Sequence, residues 1–309
     1  MDQKAERAEK LKKFRDLCLS CGFQELAPHV YELKTKGTKT LTFSALIHGN
    51  EIGGLEILID TVKLIQAKKI IPQSHLRLII GNKSAYFQDV RYVETDMNRS
   101  FGLDKHDNEE ELRAKELEPF ILSSNIFLDF HQTVGPCSTG FFIFEYSDKS
   151  YDLARHLHPT LPIVTHNKKR AFKGQTSTAF TKTAGIMGVT IETGQKGHDD
   201  AQTALGMQLA IQALKTNFEE ALPTAKVSHT FTFHQIVLNP DGEMEMAKRF
   251  YNFDAVKKGE VLAKDSKHEV SSETDGVILF PKYGDYARKT PELALVLKPV
   301  QARNEISRN

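Results

Sequence analysis

Short apolar segments alternate with helical segments over about the first 225 residues, and this alternation limits what the chain can fold into. Residues 41–47 and 75–80 are apolar runs of strand length, and each ends at a turn that contains glycine. Between them, residues 55–65 place apolar side chains at the three- and four-residue spacing of an amphipathic helix. Strands that alternate with helices favour a mostly parallel sheet with helices on its faces. The sequence therefore predicts an α/β fold.

Predicted strands and helices continue to alternate after residue 80. Further strands are predicted at residues 126–130, 141–144, 161–165 and 189–191, and helices at residues 1–20, 109–122 and 201–218. After about residue 225 the pattern changes to short strands at residues 229–238, 261–262, 276–280 and 293–297, with a strong turn signal at residues 239–242. We therefore expect an α/β domain of residues 1–225 and a small β-rich domain of residues 226–309.

Composition excludes several classes of protein. The 309 residues include 41 Lys and Arg against 40 Asp and Glu, so the net charge of +1 gives no reason to expect nucleic acid or an anionic membrane as a partner. No stretch approaches the ~18 apolar residues of a membrane helix. The N-terminus is charged and lacks the apolar core of a signal peptide, so we expect a cytoplasmic protein. Three cysteines, Cys18, Cys21 and Cys137, do not make a disulfide framework, and we predict no role for them.

Candidate metal ligands follow two of the predicted strands. His48 and Glu51 lie in the sequence His-Gly-Asn-Glu directly after the first strand, and the carboxyl ends of strands are where open α/β sheets bind ligands. Imidazole and carboxylate are zinc ligands. His131 ends the strand at residues 126–130 and is the best candidate for a third ligand, with Asp129 on the same side of the strand to orient it. The alternative is that the two histidines cap a turn and a strand end and that Asp129 is an ordinary strand-end carboxylate.

Two further features can support hydrolytic chemistry at such a site. Glu192 ends the strand at residues 189–191, and beside a zinc-bound water it can act as a general base. Taken alone, a solvated acid in a turn is the better interpretation of Glu192. Arg91 and Arg99 lie in one polar loop, where arginine can grip a carboxylate or stabilise a developing oxyanion. The alternative is a salt-bridged surface loop.

Four motifs occur in order: HGNE at residues 48–51, RYVETDMNRSFG at 91–102, LDFH at 128–131 and TIETG at 190–194. This order resembles the succinylglutamate desuccinylase/aspartoacylase family of zinc hydrolases, which is related in fold to the zinc carboxypeptidases. Residues 113–118, 251–253 and 258–262 look closer to the succinylglutamate desuccinylase branch. The resemblance implies a carboxypeptidase-like α/β domain, with a mixed, mostly parallel sheet flanked by helices, and a C-terminal β domain. That agrees with the independent pattern of segments.

The resemblance also implies roles for the residues of the metal site. His48, Glu51 and His131 match the ligands of one Zn²⁺ per chain. Glu192 matches the general base, which takes a proton from water and returns it to the leaving amine. Arg91 matches the arginine that polarises the carbonyl group of the bond to be cleaved.

Other positions match the family's substrate-binding residues, with departures. Asn98 and Arg99 match the pair that binds the α-carboxylate of the substrate. Lys182 stands where the family usually has an arginine that grips a second carboxylate, ten residues before the catalytic glutamate. A lysine ammonium is a point charge, whereas an arginine guanidinium binds a carboxylate through two parallel hydrogen bonds. We therefore expect Lys182 to bind a second carboxylate less specifically or in a different position. Tyr286 is the nearest match to a tyrosine that aspartoacylases use near the C-terminus, and Tyr283 is a rival.

The expected function is hydrolysis of the amide bond of an N-acyl amino acid, of the N-succinylglutamate or N-acetylaspartate type. The products are a carboxylate and a free amino acid. One alternative is a zinc carboxypeptidase that acts on short peptides, because the same metal ligands serve both reactions. The other is a catalytically silent binding protein on the same fold, although every matched position holds a chemically competent residue.

Overall fold

A twelve-stranded sheet and a separate three-stranded sheet organise the chain in this computed structural model, which describes residues 3–135, 137, 139–166 and 173–308. In chain order the strands are β1 (Gln24–Ala27), β2 (Val30–Leu33), β3 (Thr40–Ala45), β4 (His75–Ile80), β5 (Ile126–Thr133), β6 (Phe141–Glu145), β7 (Ile163–His166), β8 (Met187–Gln195), β9 (Thr230–Leu238), β10 (Glu245–Met246), β11 (Ala255–Val256), β12 (Val261–Lys264), β13 (Glu269–Ser271), β14 (Gly276–Leu279) and β15 (Glu292–Val300). The α-helices are α1 (Gln3–Ser20), α2 (Gly53–Gln66), α3 (Lys83–Gln88), α4 (Glu109–Leu122), α5 (Asp148–Leu157), α6 (Ser177–Thr183), α7 (Asp200–Lys215), α8 (Gly284–Arg288) and α9 (Arg303–Arg308).

The large sheet is mixed, with a parallel centre. Its order is β1-β2-β4-β3-β5-β8-β6-β7-β9-β15-β14-β11, and β4, β3, β5 and β8 run parallel to one another. β6 then runs antiparallel to β8, and β7 and β9 follow the direction of β6. The predicted α/β class is confirmed.

Both faces of the parallel centre are covered by helices, because its strands are apolar on both sides. Leu128 and Phe130 of β5 belong to a core formed with α1, α2, α5 and α7. Phe127 points to the other face and packs with residues of α4 and α6. The predicted N-terminal helix forms as α1, with Leu11 and Phe14 buried. No helix in the described ranges is both long enough and apolar enough to cross a membrane.

The C-terminal strands extend the large sheet. Thr230 of β9 pairs with Ile163 of β7 in parallel, and also with Val300 of β15 in the antiparallel sense. β10, β12 and β13 form a small sheet of their own. The predicted strands in this region are therefore present, but sheet pairing continues across residue 225. The division into domains of residues 1–225 and 226–309 stays a prediction.

Candidate metal centre and active site

The site lies where three neighbouring strands deliver polar side chains to one place. β3, β5 and β8 are adjacent and parallel, so their carboxyl ends lie at the same edge of the sheet. His48 follows the end of β3 by three residues. His131 near the end of β5 is paired in register with Glu192 of β8. Strand order thus brings together residues that are far apart in the sequence.

His48, Glu51 and His131 converge as a buried triad with side chains only 2–3% exposed. Nδ1 of His48 lies 2.8 Å from Oε1 of Glu51, and Nδ1 of His131 lies 2.9 Å from Oε2 of the same carboxylate. The two Nδ1 atoms are 3.1 Å apart. The structure therefore brings the three predicted ligands together.

The outer nitrogens of both imidazoles face carboxylates. Nε2 of His48 is 3.0 Å from Oδ1 of Asp96, and Nε2 of His131 is 3.0 Å from Oδ2 of Asp129. A carboxylate accepts a hydrogen bond, so each Nε2 carries the proton and each Nδ1 presents a lone pair. Two lone pairs and the Glu51 carboxylate then meet in a buried space, which is unfavourable unless a cation binds them. This donor set fits a divalent metal such as zinc, with the outer carboxylates fixing the ligands.

The charges around the triad favour positive charge within it. Burial raises the pKa of Glu51, but His48 and His131 outweigh that effect and hold it well below its usual range. Burial lowers the pKa of His131, but the carboxylates of Asp129 and Glu51 outweigh that effect and raise it well above its usual value. The surrounding carboxylates thus favour a cation at this position, as a metal centre requires.

The loop that carries His48 and Glu51 packs closely against α3 at Gly49. A Cβ atom on Gly49 would lie 2.1–2.2 Å from backbone atoms of Ala85 and Tyr86, so this position needs glycine. Gln132 holds the start of α2, because its side-chain Oε1 accepts the backbone N–H of Gly53 (2.8 Å) and its backbone N–H donates to Oε2 of Glu51 (3.0 Å). Sequence reasoning did not select Gln132, whose contacts are long-range.

Glu192 faces the triad from β8 and is 8% exposed. Within the described ranges, its Oε2 atom has no hydrogen-bond partner. Burial, and to a lesser extent the charge of Glu51, raise the pKa of Glu192 to about 7. A carboxyl group with such a pKa can exchange a proton at neutral pH, as a general base must.

Asp96 organises the arginine loop. Arg91 donates from Nη1 to Oε1 of Glu51 (3.0 Å) and from Nη2 to Oδ2 of Asp96 (3.3 Å). The backbone N–H of Asn98 donates to Oδ1 of Asp96 (2.9 Å), which caps the 3₁₀ turn Met97–Arg99. Sequence reasoning did not assign Asp96 a role, although an aspartate before Met-Asn-Arg has the chemistry of a helix N-cap.

The acidic helix α4 holds the same loop from the other side. Glu110 is 1% exposed, and its carboxylate accepts backbone N–H groups from Val93 (2.6 Å), Glu94 (3.2 Å) and Thr95 (3.4 Å). It also accepts a bond from the side chain of Asn82 (3.0 Å). Four donors on one buried carboxylate fix the path of the loop, so Glu110 is a third residue, after Gln132 and Asp96, that the sequence did not reveal.

A cavity of about 450 Å³ opens beside the triad. Its lining includes the predicted metal and catalytic residues and the pair predicted to bind the α-carboxylate: His48, Glu51, His131, Glu192, Arg91, Asn98 and Arg99. Farther from the triad it includes Ile143, Glu145, His166, Thr178, Thr190, Phe233, Phe280 and Lys282. The cavity therefore has space for a small molecule next to the metal ligands.

The two remaining predicted residues differ in position. Tyr286 lines the cavity. Its rival Tyr283 exchanges hydrogen bonds with the backbone of Phe250 (2.6 and 3.0 Å), a structural arrangement. Lys182 is not among the residues that line the cavity, and its Nζ lies 3.4 Å from Oε2 of Glu145, which does line it. The roles of Lys182 and Tyr286 in substrate binding stay predictions.

Comparisons with known proteins agree with this arrangement. The sequence model of the succinylglutamate desuccinylase/aspartoacylase catalytic domain matches residues 37–217. A succinylglutamate desuccinylase from Shewanella woodyi is 24% identical over 89% of this chain and 86% of its own length. A probable aspartoacylase from Prochlorococcus marinus is 27% identical over 80% of this chain and 89% of its own length.

The fold is shared with solved structures. The crystal structure of succinylglutamate desuccinylase from Chromobacterium violaceum superposes with a TM-score of 0.69 at 20% identity, covering 93% of this chain and 98% of that one. The family match spans more than half of the chain and contains the triad, Arg91 and Glu192. The resemblance noted in the four motifs is thereby confirmed. The chain belongs to the succinylglutamate desuccinylase/aspartoacylase family.

Proposed function

We propose that this protein is a zinc-dependent hydrolase that cleaves the amide bond of an N-acyl amino acid and releases a carboxylate and a free amino acid. The observation that carries the proposal is the buried convergence of His48, Glu51 and His131 beside Glu192. The three side chains would hold the metal. Zinc, when bound, supplies a Lewis acid that polarises a carbonyl group and lowers the pKa of a water molecule.

The protein groups around the triad supply the proton transfer and the charge stabilisation. Glu192 takes a proton from the attacking water and passes it to the leaving amine, a role that its pKa of about 7 supports. Arg91 is held by Glu51 and Asp96 at the wall of the cavity, where its guanidinium can stabilise negative charge on the carbonyl oxygen.

Asn98 and Arg99 are proposed to bind the α-carboxylate of the substrate. Oδ1 of Asn98 accepts the N–H of Ser177 (2.9 Å), so the amide nitrogen is the end of the side chain that is available as a donor to an anion. Arg99 supplies a guanidinium fork on the same wall. Because Lys182 lies beside Glu145 and does not line the cavity, its side chain would have to turn toward the cavity to meet a second acidic group. We therefore propose a substrate of the N-succinylglutamate or N-acetylaspartate type.

An amine-release assay on zinc-loaded protein tests this function. The panel contains N-succinylglutamate, N-acetylaspartate, N-acetylglutamate and neutral N-acyl amino acids, each with a chelator control, together with C-terminal dipeptides. We expect release from an acidic N-acyl amino acid that the chelator abolishes. Release from neutral compounds alone would remove Lys182 from substrate recognition. Release from dipeptides alone would favour a carboxypeptidase, and silence across the panel with zinc bound would refute the proposed hydrolase.

A further inference from the structure

We propose that Ser177 is a positioning residue that joins the metal centre to the carboxylate-binding side of the cavity. It is the first residue of α6 and is fully buried. It contacts one half of the site through its hydroxyl group and the other half through its backbone N–H. Neither the motifs nor the comparisons assign it a role.

The hydroxyl group of Ser177 supports a metal ligand indirectly. Its Oγ donates to Oδ2 of Asp129, the same oxygen that accepts the bond from Nε2 of His131. Asp129 has no solvent exposure, and within the described ranges its Oδ1 has no hydrogen-bond partner. Ser177 and His131 are therefore the two groups that fix the orientation of this carboxylate. A carboxylate that orients a ligating histidine raises metal affinity, so the position of its own partner matters too.

The backbone of Ser177 orients the second half of the site. Its N–H donates to Oδ1 of Asn98 at 2.9 Å, and Asn98 is 7% exposed. This bond decides which end of the Asn98 amide faces the cavity, because oxygen and nitrogen would otherwise be interchangeable. This part of the inference rests on the proposed function, since it assumes that Asn98 binds the substrate. The link to His131 does not.

Two substitutions separate the two contacts. Ser177→Ala removes only the hydroxyl donor. Ser177→Pro also removes the N–H, and proline is well tolerated at the first position of a helix. The preceding Thr176 has φ −70° and ψ 159°, the extended conformation that proline requires of the residue before it.

Ser124→Ala is the matched control. Ser124 is also buried, and its hydroxyl bonds to Oγ1 of Thr42 (2.6 Å) and to the carbonyl of Phe120 (2.9 Å). It lies just before β5, at the end of that strand away from His131. Ser124→Ala therefore measures the effect on stability of losing a buried serine hydroxyl that does not contact the site.

Zinc affinity, measured by competition with a chromophoric chelator, is the first readout. We expect Ser177→Ala to weaken it about tenfold, at the low end of the ~10–100-fold range for groups that support a ligand. Ser124→Ala leaves it unchanged. We expect Ser177→Pro to add a rise in KM of about fivefold, the scale of one lost hydrogen bond, for the best substrate of the panel.

If the single variants differ in stability, a double-mutant cycle with Asp129→Asn still measures the interaction between Ser177 and Asp129. Ser177→Ala should cost less zinc affinity in the Asp129→Asn background, because the acceptor of its hydroxyl has changed. Wild-type zinc affinity in Ser177→Ala, equal losses in Ser177→Ala and Ser124→Ala, or strict additivity would each overturn the proposal. If the wild type releases no amine, the proposed function fails, but the zinc measurements still decide the link between Ser177 and His131.

Discussion

Replacing Glu192 with glutamine removes the proposed proton acceptor and leaves its shape in place. The side chain is buried opposite His131, and no hydrogen bond in the described ranges ties its Oε2 to the triad. The three metal ligands therefore keep their contacts, and we expect Glu192→Gln to bind zinc with wild-type affinity. A general base contributes about 10²–10⁴-fold to the rate. We therefore expect kcat to fall by at least ~10²-fold, with a much smaller change in KM.

The same substitution has a calculable effect on the metal-free protein. The pKa of Glu192 rises from 4.5 to about 7, so ionisation of this buried carboxyl group destabilises the folded state as the pH rises through that interval. At ~1.4 kcal/mol per pH unit, the penalty reaches roughly 3 kcal/mol at and above pH 7. Glutamine carries no charge. We therefore expect metal-free Glu192→Gln to be more stable than the wild type at pH 8, and the difference to vanish near pH 4.

The assay combines steady-state kinetics of zinc-loaded protein with urea unfolding of metal-free protein from pH 4 to pH 8. Glu32→Gln is the control, because Glu32 is also a buried acid but forms an ion pair with Arg77 on β4, away from the cavity. Its turnover should match the wild type. Turnover of Glu192→Gln near the wild-type value would remove Glu192 from the mechanism. Loss of zinc along with activity would mean that Glu192 holds the metal site rather than moving a proton.

Asp96→Asn should weaken zinc binding by about 10–100-fold in chelator competition, because the carboxylate that orients a metal-ligating histidine is lost; unchanged affinity would contradict this support. Arg99→Ala should raise KM at least tenfold for acidic N-acyl amino acids. KM values that match those of the wild type for every substrate of the panel would refute the assignment. Glu32→Gln should destabilise the fold at neutral pH: burial raises the pKa of Glu32, but Lys34 and Arg77 outweigh that effect and lower it. That stabilisation is present above the unfolded pKa and lost as the pH falls through the folded one, so the difference between variant and wild type in urea unfolding should shrink below about pH 4.

The parts of the site that lie at strand ends could be predicted from the sequence. Apolar runs locate strands through local periodicity, and His48, His131 and Glu192 follow or end such runs. Parallel strands place their carboxyl ends together, so the convergence of these residues follows once the strands are adjacent. The structure confirms the predicted α/β class, and it adds the strand order β3-β5-β8 that periodicity does not specify.

The supporting residues could not be predicted in the same way. These residues act through hydrogen bonds, and most of their partners are distant in the sequence. They are Asp96, Glu110, Gln132 and Ser177. Glu110 stands at helical spacing from the buried Ala114 and Leu117, but this spacing does not show which backbone N–H groups its carboxylate accepts. Their roles depend on tertiary packing, which decides which of several similar side chains is turned inward.

Strand direction explains why the chemistry could be predicted more fully than the substrate. The metal centre uses the ends of β3, β5 and β8, whereas β6, which contributes Ile143, Phe144 and Glu145 to the cavity wall, runs antiparallel to β8. Because of this reversal, Phe141 at the start of β6 pairs with Glu192, and Ile143 pairs with Thr190 farther from the metal ligands. A single apolar strand reads the same in either direction, so periodicity does not reveal which of its side chains line the cavity. We therefore expect substitutions of the β6 residues that line the cavity to change the KM values of the substrate panel without changing zinc affinity, because the triad and Glu192 lie outside β6.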